Sequence, residues 1–551
     1  GVIKFMRESS TSNFSFILDA NSRISLSNND AGASNTIFGL QSGNSLINGS
    51  QQNAFYGEYS GLDTTTGSGN VALGWRSLYE NTTGSTNTAV GYYALKGTSG
   101  SATSGNNVAV GAQSLYNASS GSNNTAVGYQ SLFAVTTGGA NNAIGKESLY
   151  SLTTGAENVG IGRGASYSGT VASENIAIGT QSLYTNTAGK RNIAVGLYSQ
   201  NAGNLTVEGQ IANNVAMGYS ASYHNVTGTK NTAIGNEAMK GASGQSHTDN
   251  TAVGYQSLTA ITTGARNVGL GVSALASLTS GTENIAIGKS ALLALTTGNS
   301  NVAIGQDTMS SADGGEDMNV AIGYQTMNLV NNDSANHNVA IGYQALQTTQ
   351  TDNSVAIGRE SLKALTSGAN NTAVGYQSGK SITAGFNNTL FGYQTGDAIN
   401  TGSGNSAFGV NALTTNTNGI RNTAIGETSM QDNNSGGYNV AVGRESLFRN
   451  VTGNYNTAIG TSSMEGASGN NHSNNTALGY QSMKSVTTGS NNVAVGANAL
   501  DSLTTTNNMV AVGYNAGTTA QHSQAEGGTY IGWEAGKSIY SAGHVTAIGY
   551  K

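Results

Sequence analysis

The chain is predicted to fold as a parallel β-solenoid, a β-roll of about 30 coils, and three observations carry that prediction. A Gly preceded by Ala and an aliphatic residue returns from Thr36-Ile37-Phe38-Gly39 to Thr546-Ala547-Ile548-Gly549. There are 30 such glycines, and 20 of the 29 intervals between them are 17 residues long, the rest running from 16 to 22. The residue before the Gly is Val or Ile in 22 of 30 coils, and the one before that is Ala in 24. Four residues after the Gly stands Leu or Met in 20 of 29 coils, and never Val or Ile. Self-similarity at so short a period marks a solenoid, in which each unit buries its face only against its neighbours. Gly128, Gly145, Gly179, Gly288, Gly305, Gly375, Gly426 and Gly496 represent the structural glycine of the repeat.

Within one coil, Asn123-Asn124-Thr125-Ala126-Val127-Gly128-Tyr129-Gln130-Ser131-Leu132-Phe133-Ala134-Val135-Thr136-Thr137-Gly138, the strand comes first. Side chains alternate faces along a strand, so Thr125, Val127 and Tyr129 point one way and Ala126 and Gly128 the other. The larger residues are expected to form the core, and the flat Ala/Gly face to pack against sister chains. Next comes the Leu/Met position. Unbranched residues there, and apolar pairs at i and i+3 such as Leu149 with Leu152 and Leu362 with Leu365, predict a short helical turn in each coil. Thr-Thr-Gly, as in Thr153-Thr154-Gly155 and Thr296-Thr297-Gly298, closes the coil, with Gly expected in the left-handed conformation. Paired Asn residues before the strand (Asn106-Asn107, Asn123-Asn124, Asn491-Asn492) are placed to stack into side-chain amide ladders, with a sugar-binding row as the functional alternative.

Along the chain, residues 1–34 lack the repeat but alternate apolar and polar, as in Phe14-Ser15-Phe16-Ile17-Leu18, and read as a strand-rich lead-in or cap. Residues 35–551 form the repeat shaft. At about 4.8 Å per layer, 30 coils give a rod on the order of 140 Å. Longer coils carry their extra residues after the Leu/Met position. Because insertions in solenoids often mark the binding face, Ser99, Ser101, Asn204, Glu208, His247, Glu316, Asp317 and His472 are the candidate surface-contact residues. A longer echo, 225 residues apart, relates Asn231 to Gly235 and His247 to Asn456 to Gly460 and His472, so the array grew partly by duplication of many coils together.

Composition narrows the function. Gly is 78 of 551 residues, about twice average usage, and charged residues are only 9%, which indicates ordered repetition and not a disordered chain. The net charge is −6 with no Lys/Arg-rich run, so nucleic acid is not an expected partner. No run of 18 apolar residues suggests membrane insertion. The start, Gly1-Val2-Ile3-Lys4-Phe5, reads as that of an excised or processed piece. Cys is absent, which excludes disulfide and thiolate-metal scaffolds, and the absence of Pro suits stacked strands whose N–H groups are all wanted by ladders.

No enzymatic chemistry is expected. The six histidines lack ligand-like spacing, Gly160-Ile161-Gly162 and Gly269-Leu270-Gly271 are the ordinary repeat and not phosphate loops, and the carboxylates do not single out one cleft. Neither cofactor nor metal is implied. An ice-binding solenoid would need a flat Thr array, which adjacent threonines such as Thr136-Thr137 do not supply on one face.

The phrase Asn-x-Val/Thr-Ala-Val/Ile-Gly with Ser three residues on, as in Asn353-Ser354-Val355-Ala356-Ile357-Gly358 and Ser361, resembles the head repeat of trimeric autotransporter adhesins. That resemblance implies a trimer of left-handed parallel β-rolls on a bacterial surface; the family's unit is shorter and lacks the Leu/Met position. The Tyr-Gln-Ser-Leu phrase (Tyr129 to Leu132, Tyr255 to Leu258), the Thr-Thr-Gly turns and the segment Leu18 to Asp30 resemble tail-fibre proteins of tailed bacteriophages across essentially the whole chain. This implies a homotrimeric, non-enzymatic virion fibre whose partners are other tail or fibre proteins and a bacterial surface receptor or glycan.

Overall fold

A computed structural model describes residues 4–5, 16–17, 34–47, 49–98, 102–202, 210–331, 333–519, 526–539 and 544–551. The protein is a parallel β-solenoid of about 29 turns with a period near 17 residues, and the described residues include no helix. It divides into two compact units, Gly1–Ser273 and Ala274–Lys551, built from the same coil. In the first unit, three-residue strands such as Asn142–Ile144, Val159–Ile161 and Ile176–Ile178 pair in parallel with Ala143, Gly160 and Ala177 in register. In the second, Val302–Ile304, Val320–Ile322 and Val339–Ile341 pair likewise, Ala over Ala. Within the lead-in, β1 (Lys4–Phe5) pairs antiparallel with β2 (Phe16–Ile17), and the remainder of its expected strands lies outside the described residues.

The strand faces are the reverse of the expectation. Ala126 is fully buried, whereas Thr125 and Val127 are only half-buried and Tyr129 is 47% exposed. The alternation holds but its sign does not. Inside the coil, Ala126 shares the core with buried Leu132 and Val135, so the interior is already filled by the residues four and seven after the Gly. A β-branched residue in place of Ala would overpack it. The small residues therefore line the core, and the Val and Ile columns face out.

The Leu/Met position is also set by the backbone, though not by a helix. Leu132 sits at φ 51°, Leu149 at 52° and Met239 at 52°, the left-handed region where β-branched residues are strongly disfavoured. Leu149 and Leu152 are both buried, and the Leu152 N–H donates to the Leu149 carbonyl at 3.3 Å as a turn. Where that position is not Leu or Met it is often Gly, and a large strand residue of the same coil or the next one fills the space. Phe55 lies against Gly43 and Gly61, Leu390 against Gly379 and Gly396, and Tyr530 against Gly517 and Gly536. One large strand residue thus takes up the space left by the glycines of its own coil and of the coil before it.

The repeat glycine is needed for space and for conformation together. Gly128 has φ 132°, and a Cβ there would lie 2.6 Å from the carbonyl oxygen of Gly145 in the next coil. Gly155 and Gly298, the closing glycines expected to be left-handed, do not take positive φ. They are required because the neighbouring backbone runs too close for a Cβ. Hydrogen bonds between coils run both ways. Asn123, Gly128 and Gln130 donate their N–H groups to carbonyls of the preceding coil (Gly105, Val110, Ala112), while Thr125, Leu132 and Ala134 donate to the following one (Asn141, Ser148, Tyr150).

Candidate interaction surfaces

The second Asn of each pair forms a buried ladder. The Asn141 side-chain oxygen accepts the backbone N–H of Asn158 at 3.0 Å and its Nδ2 at 3.0 Å. Asn141 Nδ2 in turn donates to Asn124 Oδ1 at 3.1 Å and to the Gly155 carbonyl at 3.0 Å. Asn388, Asn405 and Asn422 repeat the pattern in the second unit. The buried row of second Asn residues serves the fold, whereas the first residues of the pairs, Asn106, Asn123 and Asn491, remain exposed.

Three columns face solvent. The residue after each strand Ala forms an outward apolar column, while the residue before it varies chiefly between Val or Ile and Thr; Val108, Val110, Ile176, Ile178 and Ile193 are between 36% and 37% exposed in the first unit. In the second unit Ile285, Ile287, Ile341, Phe408 and Val493 are exposed to a similar degree. The residue after the repeat glycine forms a second column rich in Tyr. The residue five after it forms a third, in which Tyr116, Phe133, Tyr150, Tyr167 and Tyr184 stack continuously at 5.0 to 5.1 Å. Burial among its neighbours pushes the Tyr167 hydroxyl above its ordinary pKa.

The long coils bring their candidate contact residues to different places. Ser99, Ser101, Asn204 and Glu208 lie outside the described residues. His247 and His472 are buried, each presenting its carbonyl to the Asn ladder, from Asn231 at 2.7 Å and Asn456 at 2.8 Å. Burial lowers the pKa of each imidazole to about 4. Their matched settings extend the 225-residue echo from sequence to structure. Glu316 is buried, and Asp317, half-buried, accepts the Asn299 N–H through Oδ1 at 2.5 Å. Asp313, Glu316 and Asp333 bring carboxylate oxygens within 4.8 Å of one another. Backbone donors meet them there: Gly314 N–H reaches Glu316 Oε2 at 3.1 Å and Gly315 N–H reaches Asp333 Oδ1 at 2.9 Å, and burial raises the Glu316 pKa.

Neither the protein-family models nor the curated proteins with which the sequence was compared include a match.

The exposed columns are the features that sequence reasoning placed on the wrong side. Their signal was present in the size exchange between the strand Ala and the Leu/Met position, which only makes sense if both residues share one interior.

Proposed function

We propose that the chain is the structural shaft of a fibre, a non-enzymatic homotrimer of a tailed phage that contributes to attachment to a bacterial surface. The observation that carries this reading is the outward column just before each repeat glycine, Val or Ile in 22 of 30 coils. It is apolar, repeats once per coil, and is left uncovered along the strands of both units. A periodic apolar face is best matched by a surface with the same rise per layer, and another copy of this chain has that rise by construction. The absence of charge from this face favours close association, and the resemblance to trimeric fibres favours three copies over two.

Attachment then follows from geometry. Many weak contacts held in a regular array gain avidity without a deep pocket. Native mass measurement with and without cross-linking tests the assembly. A trimer is expected for the unaltered chain, and Ile176→Asp with Ile178→Asp and Ile193→Asp is expected to give folded monomers, because these side chains lie outside the coil's own core. A monomeric unaltered chain overturns the reading.

A further inference from the structure

The column that follows the repeat glycine stacks ring on ring where aromatic residues fall in successive coils. Trp75 and Tyr92 lie 5.1 Å apart at 10°, Tyr376 and Tyr393 5.1 Å at 11°, and Trp533 and Tyr550 4.7 Å at 8°. Each coil therefore adds about one ring thickness. At two places the column is interrupted by alanine: Ala112 separates Tyr92 from Tyr129, and Ala497 separates Tyr480 from Tyr514. The flanking rings are then two coils apart, which at the single-coil spacing of 4.7 to 5.1 Å seen in the three pairs above leaves room for one ring thickness above the Ala methyl. All four tyrosines are about half exposed, between 45% and 54%.

The chain itself contains the filled form of this gap. Between Tyr343 and Tyr376 the intervening residue is Arg359, whose guanidinium carbon lies 5.3 Å from one ring centroid and 5.8 Å from the other. A flat group one layer thick thus fits between rings of this column. At the first gap the outer ring faces are already taken, Tyr92 by Trp75 and Tyr129 by Lys146, whose ammonium stands 5.8 Å from the ring centroid. At the second, Trp533 stacks on the outer side of Tyr514 at 5.9 Å. The uncovered faces look into the gaps.

We propose that these two gaps are binding slots for a neutral pyranose ring within a glycan. A pyranose presents C–H groups on both faces and hydroxyls around its edge. The slots present an aromatic face above and below and a side-chain amide pair at the residue following the column: Gln130 Nε2 donates to Gln113 Oε1 at 2.8 Å, and Asn498 Nδ2 to Asn515 Oδ1 at 3.1 Å. A planar cation is disfavoured at the first slot because Lys146 already occupies the far face of Tyr129 and repels a second positive charge. An aromatic ligand would leave the amides without new partners. The proposal deepens the attachment reading by naming a ligand class, and rests on that reading only for where the glycan is met.

The chain supplies its own reporters, since its two tryptophans, Trp75 and Trp533, each stack on a ring that walls a slot. The full chain is titrated with neutral gluco-, manno- and galacto-configured oligosaccharides, and separately with N-acetylarginine amide, while tryptophan fluorescence is followed. At least one oligosaccharide is expected to give a saturable change with a dissociation constant on the order of 1 mM, the weak single-site regime that repetition amplifies. Ala112→Tyr completes the first stack and is expected to weaken the Trp75 response at least tenfold, read in a Trp533→Phe background. Ala497→Tyr does the same for Trp533, read in a Trp75→Phe background. Tyr129→Ala, which removes a wall without adding bulk, is expected to weaken the Trp75 response as well. The slots are overturned if no oligosaccharide responds, if the response survives the filled variants and the wall deletion, or if only the arginine amide responds. A monomer that binds sugar refutes the trimer and leaves the slots standing, whereas a trimer that ignores sugar does the reverse.

Discussion

Phe55 occupies the volume that Gly61 vacates: a Cβ built on Gly61 would lie 2.5 Å from Cε2 of the Phe55 ring. In an ordinary coil the same interior is shared by a strand Ala and a Leu six residues later, as with Ala126 and Leu132. The pair behaves as one quantity of core volume split two ways.

Phe55→Ala alone is therefore expected to cost about 3–5 kcal/mol as a cavity. Adding Gly61→Leu should recover a large part of that loss, although Gly61→Leu alone should destabilise by overpacking. Urea unfolding of the four members of the cycle measures the coupling, and additive effects would refute the exchange.

The left-handed backbone at the Leu/Met position separates two leucines of similar burial. Leu132 has φ 51°, whereas Leu152 does not have positive φ. Isoleucine has the same volume but is branched at Cβ, so Leu132→Ile should destabilise by about 1–3 kcal/mol more than Leu152→Ile. Equal losses on denaturation would remove the backbone explanation for why Val and Ile never occur at this position.

The Asn ladder gives a third expectation. Asn141→Ala removes a donor to the Gly155 carbonyl and an acceptor for Asn158, leaving buried backbone groups unpaired. A loss of about 2–4 kcal/mol is expected, larger than for Asn123→Ala at the exposed first position of the pair. Hydrogen exchange should show the loosening concentrated at the coils beside Asn141.

His247 and His472 make stability sensitive to mild acid. Their folded pKa values, about 4, lie below the ordinary 6.5, so between these values the unfolded chain binds protons that the folded chain does not. Stability is full above about pH 6.5 and falls as the pH drops toward 4, by about 3 kcal/mol for each histidine. His247→Leu with His472→Leu should flatten the dependence of the urea midpoint between pH 7.5 and 4.5. A slope unchanged by both substitutions would show that other groups are responsible.

Period, strand position and the amide ladder were legible in the sequence because each depends on spacing, and spacing survives any choice of which side faces inward. The inward side was not legible from one coil, since Thr125-Ala126-Val127 alternates correctly under either assignment. Only the exceptions, such as Phe55 with Gly61 and Tyr530 with Gly536, reveal that the strand Ala and the Leu/Met position meet. The helical turn was misread for a related reason. Leu149 and Leu152 have the spacing of a helix face, yet the left-handed residues around Leu149 give the same pair of buried side chains on a different backbone. The gaps in the Tyr column were not legible because they depend on which rings neighbour across coils, a relation visible only once register is known.

The two-way donation between coils has an electrostatic corollary. In an α-helix all peptide groups point along one axis, and their partial charges gather at the ends. Here Gly128 and Gln130 donate backward while Leu132 and Ala134 donate forward, so the peptide dipoles within a coil oppose one another in part. Adding further coils accumulates correspondingly little field, and nothing in the backbone's own polarity sets a ceiling on their number.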